Sequence, residues 1–203
     1  MRKRFIIVTA AAILILAAVT VTKVMNPLNI GISPLQAANG QAQTGRTFEV
    51  SFSHANLALV ASNQYAFWIE DMDGNYVDTL YVTRYTAQEG HRRRLNSIPQ
   101  WVSASGRADM RNSEVDAISG ATPKPGNYLV YWDFKDNSGN LVTDTQYRFF
   151  LEASVMNDDT ASYSGVITIG DEAWEEYLAL EYSNPNSEYN SMLTNVRVAY
   201  HPN

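Results

Sequence analysis

The sequence predicts an all-β fold, an antiparallel β-sandwich that follows an N-terminal apolar helix. Three observations predict it. Apolar and polar residues alternate in several short runs, as they do in half-buried strands. A Gly-Asn turn separates apolar, aromatic-containing runs at two places, around residues 74 and 139. An unbroken apolar run of 18 residues follows three basic residues at the N-terminus.

The composition limits what the chain can be. Its 203 residues and 22.7 kDa allow one domain with appendages, and 45% hydrophobic residues are enough to build a core. The formal net charge of −6 argues against nucleic acid as a partner. The sequence has no cysteine, which excludes disulfides, thiol catalysis, zinc ribbons and iron–sulfur clusters.

The N-terminus has the composition of an export signal. Basic residues 2–4 precede the apolar run Phe5–Thr22, which as a helix would be about 27 Å long, close to a bilayer's hydrocarbon core. The positive-inside rule sends the rest of the chain out of the cytoplasm. We predict residues 1–26 to be a signal peptide or an inner-membrane anchor, and the lack of a nearby small-x-small cleavage site favours the anchor. Residues 27–46, rich in Asn, Gln, Ala and Gly, are predicted to be a flexible linker.

Residues 47–203 carry the strands of the predicted domain. Gln64–Ile69 and Tyr76–Val82 flank an Asp-Gly turn, and a second hairpin of similar sequence begins with Tyr128–Trp132. Further strands are predicted at Thr47–Phe52, Tyr147–Ala153, Ser164–Ile169 and Asn195–Tyr200. Several short strands joined in this way are typical of an immunoglobulin-like β-sandwich.

Two parts of this domain depart from the alternating pattern. Residues 86–125 show no clear periodicity, and an insertion of this length is usually functional or poorly ordered. Within it a helix is predicted around Ser97–Ser105. Residues 157–203 carry eight acidic side chains against one arginine, and we interpret them as an acidic extension of the sandwich. There Trp174, Tyr177 and Leu178 have the spacing of a helix over Glu172–Leu180.

One motif points to chemistry, the sequence Asp-Ala-Ile-Ser-Gly-Ala-Thr at residues 116–122. Gly120 and Ala121 are small, so the backbone of this segment can enter the cleft of another enzyme. Pro123 keeps Thr122 out of the helical region and the segment extended. A threonine hydroxyl is a weak nucleophile at neutral pH and would need activation by such an enzyme. The residues leave a plain surface turn open as the alternative.

The motif fits Asp-x-x-Ser/Thr-Gly-Ala-Thr and resembles the acceptor site in the C-subunit of the sodium-translocating quinone reductase and in the related electron-transport complex subunit. In those families a flavin transferase uses FAD and magnesium to attach FMN to the last threonine through a phosphoester. The resemblance implies covalent FMN on Thr122. The other residues of the motif would form the binding site around this FMN, namely Asp116, Ser119, Gly120 and Ala121. Trp101, in the same insertion, is the tryptophan that we expect to stack on the flavin ring.

A longer stretch, from about Thr47 to Tyr200, resembles a bacterial family known as predicted periplasmic proteins of unknown function. The resemblance lies in Phe67–Asp71, in the motif at 116–122 with the proline after it, and in Pro125–Tyr128. It implies a periplasmic location. It also implies gene neighbourhoods that contain flavin transferases and membrane reductases of the PepSY type, which would be the partners of a flavin carrier.

Two weaker candidate sites remain. The basic segment His91–Arg94, with Arg107 and Arg111, could bind a phosphate or an anionic headgroup, or it could be a solvated loop. The oxygen-bearing residues of Asp71–Asn75 alternate as calcium ligands can, but their spacing is also what a hairpin turn requires. The three histidines are scattered, and their spacing predicts neither a metal site nor a hydrolase triad.

These observations leave three hypotheses for function. The first is a membrane-tethered carrier of covalent FMN that relays electrons outside the cytoplasm and has no substrate of its own. The second is a non-catalytic periplasmic binding or structural module, in which the motif at 116–122 is part of the scaffold. The third is an enzyme that uses carboxylates of the acidic extension, although no pair of them stands out in the sequence.

Overall fold

The computed structural model describes residues 32–34, 45–55, 63–156 and 159–203, and these residues are mostly β. Eleven strands are described, namely β1 (Ile32–Pro34), β2 (Thr47–His54), β3 (Gln64–Glu70), β4 (Tyr76–Thr83), β5 (Ser119–Gly120), β6 (Gly126–Trp132), β7 (Gln146–Met156), β8 (Asp159–Thr168), β9 (Trp174–Tyr177), β10 (Glu181–Tyr182) and β11 (Leu193–His201). Three short α-helices accompany them, namely α1 (His91–Arg93), α2 (Pro99–Ala104) and α3 (Asn112–Ile118).

The strands form two sheets with one core between them. The first sheet has the order β1-β6-β2-β11-β9 and the second the order β10-β8-β7-β3-β4-β5. Side chains from both sheets meet in this core, among them Phe52 of β2 and Phe67 of β3, whose rings stack with centroids 5.2 Å apart. The predicted β-sandwich is therefore confirmed as a body of two packed sheets, whereas immunoglobulin-like topology stays a prediction.

Alternation in the sequence places each side chain on its face of the sheet. In β2, Phe48, Val50 and Phe52 point into the core with at most 2% of their surface exposed, and the residues between them are half-buried. In β3 six successive residues are buried, because this strand is covered on both faces. Phe67 faces the main core and Trp68 faces a second, smaller core.

The second core lies beneath the insertion of residues 86–125, which is helical rather than irregular. The insertion contains α1, α2 and α3, a π-helical turn at Thr86–Gly90 and a 3-10 turn at Arg107–Asp109. The helix predicted near Ser97–Ser105 is confirmed as α2. These elements are too short to show a helical period in the sequence, and they pack on the outer face of the second sheet.

A buried carboxyl group docks α2 on that sheet. Glu152 of β7 is 1% exposed and accepts hydrogen bonds from the backbone N–H groups of Gln100 and Trp101, at 3.3 and 3.0 Å. These donors lie in the first turn of α2, where backbone N–H groups lack partners within the helix. Burial raises the pKa of Glu152 to about 7, and the two backbone bonds oppose the rise.

The first predicted hairpin is confirmed as the antiparallel pair β3 and β4. The second is wrong as predicted, because β6 pairs with β1 and β2 rather than with a return strand, and the second hairpin is reduced to a turn closed by the Lys135–Leu141 bridge.

The two turns nevertheless have the same construction. The Asp71 carboxylate accepts from the backbone N–H groups of Asp73 and Asn75 and from the Asn75 side chain. Asp136 makes the equivalent three bonds with Ser138 and Asn140. Each aspartate therefore closes its own turn. No group of three or more candidate metal ligands occurs in the part of the chain that the structure describes.

The helix predicted over Glu172–Leu180 is wrong. Trp174–Tyr177 forms the edge strand β9, antiparallel to β11, with Trp174 opposite Tyr200. A helix would place Trp174 and Tyr177 on the same buried face. In the structure Trp174 packs against the core, whereas Tyr177 is 71% exposed. Strand β9 provides backbone hydrogen-bond partners for β11. Arg197 of β11 also forms an ion pair with Glu175 of β9.

The signal or anchor predicted at 1–26 lies outside the described residues, as does most of the linker predicted at 27–46. Within that linker, β1 pairs in parallel with the start of β6, with Ile32 opposite Asn127. None of the helices among the described residues is long and apolar enough to cross a membrane.

Candidate functional site

The motif at 116–122 lies where the chain passes from one sheet to the other. Asp116 belongs to α3, which ends at Ile118, and β5 follows directly and pairs in parallel with the end of β4. In this pairing Ser119 lies opposite Val82 and Gly120 opposite Thr83. Residues 121–125, which we call the threonine loop, have no regular secondary structure and lead into β6 of the other sheet.

The backbone of the threonine loop is held by side chains of the sandwich. The Tyr81 hydroxyl of β4 donates to the carbonyl oxygen of Ala121 at 2.5 Å, and the Tyr128 hydroxyl of β6 donates to that of Lys124 at 2.6 Å. The ring of His54 interacts with the backbone of Pro123 between these two points. The loop is therefore attached to three strands from both sheets.

The side chain of Thr122 is free within this held loop. Thr122 is partly exposed, between the exposed Ala121 and the buried Pro123. Its hydroxyl makes no hydrogen bond to any other residue that the structure describes. The buried Pro123 and the hydrogen-bonded carbonyl groups of Ala121 and Lys124 hold the backbone in place, while the Thr122 hydroxyl stays accessible at the surface.

The other motif residues lie around the same place. Ser119 is 3% exposed, and its hydroxyl oxygen has no hydrogen-bond partner among the described residues. A buried hydroxyl without a partner is uncommon and costs free energy unless something binds it. Gly120 is buried beside it, and Asp116 is exposed on α3, where it accepts a hydrogen bond from Gln88 at 3.3 Å.

Trp101 does not join these residues, and the prediction that it stacks on a flavin needs correction. The indole is fully buried in the second core, and its N–H donates to the Thr79 hydroxyl at 2.8 Å. It packs in the same cluster as Trp68 and Val82 of the second sheet, and none of its surface is left exposed for a flavin ring. Trp101 is a core residue because α2, which carries it, packs on the outer face of the second sheet, and the helix predicted around Ser97–Ser105 did not show which of its faces would be buried.

Three arginines of the predicted basic cluster, namely Arg93, Arg107 and Arg111, each make a separate contact within the insertion. Arg93 pairs with Glu89, and Arg111 pairs with Glu114 at the start of α3. Arg107 is buried and donates to the carbonyl oxygens of Ala87 and Gln88. These three arginines hold the insertion together rather than forming one surface for an anion.

His54 lies beneath the threonine loop. It is 4% exposed, and its Nδ1 lies 2.7 Å from the Tyr65 hydroxyl. Burial lowers the pKa of His54, and the nearby backbone of Met192 and Pro123 acts in the opposite direction. A neutral imidazole in this position supports the loop without adding a positive charge.

A second candidate site lies towards the opposite ends of β4 and β6. Here a cleft of about 980 Å³ opens between α3 with its preceding turn and the second hairpin. We call it the acidic cleft, because the residues that line it include five carboxyl groups and one lysine. Its lining residues include Tyr76, Asp78, Tyr131, Asp133, Lys135 and Asp136.

Charge repulsion and burial act on Asp78 in the acidic cleft. Burial raises the pKa of Asp78 to about 7, and the carboxylates of Asp133 and Asp136 add to the rise. Lys135 pairs with Asp133 at 2.5 Å rather than with Asp78. Sequence reasoning did not single out Asp78, since nothing in the alternation of β4 distinguishes an aspartate in a cleft from one in solvent.

Comparisons with known proteins identify one family. Residues 46–181, roughly two thirds of the chain, match the family model described as Predicted periplasmic protein (DUF2271). No curated protein and no solved structure matches the chain. The match covers β2 to the start of β10, including the threonine loop and the acidic cleft.

Proposed function

The chain belongs to the DUF2271 family of predicted periplasmic proteins, and from this premise we propose that it carries FMN on Thr122 and relays electrons outside the cytoplasm. One observation supports the proposal above the others. Thr122 presents a hydroxyl without a hydrogen bond to any described residue, on a loop whose backbone is held at Ala121, Pro123 and Lys124. A modifying enzyme could reach such a group without unfolding the sandwich.

The residues around Thr122 suit a flavin phosphate. The buried Ser119 hydroxyl has no partner in the part of the chain that the structure describes, and a phosphate oxygen would accept its hydrogen bond. The small residues Gly120 and Ala121 leave the segment narrow, so that a transferase can approach it. When bound, the flavin would supply one- and two-electron redox chemistry, and the protein would position it.

The modification itself exchanges a phosphoanhydride bond of FAD for a phosphoester bond to threonine. The Thr122 oxygen forms a bond to the flavin-side phosphorus of FAD, and the pyrophosphate bond to that phosphorus breaks. AMP leaves, and the hydroxyl proton passes to a base of the flavin transferase. The product is a threonine phosphodiester of FMN, and no electrons are transferred in this step.

We propose the flavin transferase, a PepSY-type membrane reductase and the inner membrane as partners. The anchor predicted at 1–26 would keep the domain near a membrane reductase. A tether raises the local concentration of a carrier near its donor without any new contact. The family description agrees with a location outside the cytoplasm, where such a relay would act.

The acidic cleft favours a second candidate function, a periplasmic binding module. A cleft of about 980 Å³ with tyrosines and carboxylates has the size and lining of a small-molecule site. In that case the threonine loop would be scaffold. The negative charge of the cleft is unfavourable for a flavin phosphate, so the two functions assign different ligands to different places.

The test is the intact mass of the full chain after co-expression and export with a bacterial flavin transferase. We expect an added FMN phosphoester on the wild-type chain and on Thr122→Ser, which keeps a hydroxyl. We expect no adduct on Thr122→Ala. Thr143→Ala is the matched control, because Thr143 is also an exposed loop threonine, and it should be modified like the wild type.

Two outcomes would contradict the proposal. An unmodified wild-type chain, in cells where a known acceptor protein receives FMN, would leave the binding module as the better hypothesis. An adduct that persists in Thr122→Ala would show that another residue is the acceptor. Yellow colour that survives denaturation would separate a covalent flavin from one that is loosely held.

A further inference from the structure

We propose that Arg84 binds the phosphate of the flavin on Thr122, an inference that rests on the proposed function and adds a specific residue to it. The sequence analysis did not select Arg84, which precedes the basic segment at 91–94. Its position next to the motif follows from strand pairing alone. Arg84 comes directly after β4, and the last residue of β4, Thr83, lies opposite Gly120.

The parallel pairing brings the arginine beside the loop. Because β4 and β5 run in the same direction and Thr83 lies opposite Gly120, the chain leaves the two paired strands from neighbouring positions, into the helical insertion after Thr83 and into the threonine loop after Gly120. The first residues after the two strands are Arg84 and Ala121, and Thr122 is the next along the chain. An arginine side chain is long enough to reach a phosphate on the neighbouring segment.

Arg84 also has its charge available. It is exposed, and it makes no ion pair or side-chain hydrogen bond with any residue in the described part of the chain. Arg93, Arg107 and Arg111, by contrast, are engaged in bonds within the insertion. Among these arginines, Arg84 is therefore the one free to meet a ligand beside the threonine loop.

A contact through Tyr81 supports the same position. Burial raises the pKa of Tyr81, and the positive charge of Arg84 acts in the opposite direction, so that charge lies within electrostatic reach of the Tyr81 hydroxyl. The hydroxyl in turn bonds the carbonyl oxygen of Ala121, next to Thr122. Hydrogen bonds between a guanidinium and a phosphate are stronger than neutral ones and hold a planar, bidentate geometry.

The test compares rates of FMN transfer to the purified full chain with a flavin transferase, FAD and magnesium. Losing one charge-assisted hydrogen bond should lower kcat/KM for the acceptor by about tenfold or more in Arg84→Gln. Arg84→Lys should recover most of the rate, because it restores the charge. The difference should shrink in high salt, which screens an exposed charge.

Arg148→Gln is the matched control. Arg148 is an exposed arginine opposite Glu70, at the other end of the second sheet from Thr83, and its loss removes the same charge. We expect its rate to stay within about twofold of the wild type, with thermal unfolding showing that all variants are folded. The phosphorus resonance of the loaded protein should also shift in Arg84→Gln and not in Arg148→Gln.

Each result decides the inference. Equal rates and equal phosphorus resonances for wild type and Arg84→Gln would overturn the role of Arg84 while leaving FMN on Thr122 in place. An equal loss of rate in Arg84→Gln and Arg148→Gln would reduce the effect to net charge and would also overturn it. A wild-type chain that accepts no FMN would end the proposed function and this inference together.

Discussion

The threonine loop and the acidic cleft lie at opposite ends of β4 and β6, and their chemistry is opposite as well. The loop presents the Thr122 hydroxyl, which makes no hydrogen bond within the described part of the chain, and it follows β5, whose partner strand β4 ends just before the exposed Arg84. The cleft gathers carboxyl groups, and burial there raises the pKa of Asp78 to about 7. Strands of the same two sheets thus support one place suited to an anion and one that repels anions.

This difference separates the two functional hypotheses. A flavin phosphate carries negative charge, so electrostatics favours the loop and disfavours the cleft. A ligand of the cleft would instead be cationic or neutral and hydrogen-bonding. A flavin bound at the threonine loop would therefore support the carrier, and a ligand bound in the acidic cleft would support the binding module.

The largest effect in this comparison is expected from the two hydroxyls that hold the loop. The double variant Tyr81→Phe/Tyr128→Phe removes the bonds to Ala121 and Lys124. At about 1 kcal/mol per bond, FMN transfer should slow by roughly tenfold or more, because a looser loop loses more conformational freedom in the transferase. Initial rates of transfer measure this directly.

Tyr131→Phe is the control for that experiment, since Tyr131 is a cleft residue at the other end of β6. Its transfer rate should equal that of the wild type. A double variant that is modified as fast as the wild type would show that the loop does not need to be held.

An effect of intermediate size is expected in the cleft, on stability rather than on flavin transfer. The pKa of Asp78 is about 7 in the fold against 3.8 ordinarily, so the folded state binds this proton more tightly. Its contribution to stability is present at low pH and is lost as the pH rises from about 4 to about 7. The free energy of unfolding of the wild type should therefore decrease over this pH range. In Asp78→Asn, which has no proton to lose at this position, the decrease should be smaller by about 1–2 kcal/mol.

Urea unfolding at several pH values checks this, with Asp144→Asn on an exposed loop as control. The FMN transfer rate of Asp78→Asn should be unchanged. If Asp78→Asn slowed FMN transfer as much as Arg84→Gln, the acidic cleft and the threonine loop would not act independently. That result would contradict the assignment of different ligands to the two places.

The smallest effect concerns the two hairpin turns. Asp71→Ala and Asp136→Ala each remove three hydrogen bonds of the same kind, so both should lower Tm. Asp136 also repels Asp78 across the cleft. Its removal relieves that repulsion, and Asp136→Ala should therefore lower Tm less than Asp71→Ala at pH 8. Scanning calorimetry at pH 5 and pH 8 would show this, and an equal decrease at both pH values for both variants would contradict it.

Local pattern predicted most of the sheets. Alternation placed β2 and β11, and the Asp-Gly turn placed the β3–β4 hairpin, because both signals depend on neighbours in the chain. The second turn was also placed, but β6 before it pairs with β1 and β2, which are distant in the sequence. The pattern failed at residues 172–180, where Trp174, Tyr177 and Leu178 fit a helix as well as a strand. The deciding contact is the pairing of β9 with β11, which comes about 20 residues later and leaves no local trace.

The site was predictable in part for the same reason. The motif at 116–122 is contiguous, so its residues could be chosen from the sequence. The position of Arg84 beside it depends on pairing between β4 and β5, which are separated by the helical insertion. The burial of Trp101 depends on the same insertion, whose short helices have no readable period.

The most direct test of the central claim is to map the modified residue in the full chain after exposure to a flavin transferase and FAD. Peptide fragmentation should place the FMN phosphoester on Thr122 and leave the residues of the acidic cleft unmodified. An intact chain without flavin, or a flavin located anywhere other than the threonine loop, would contradict the account.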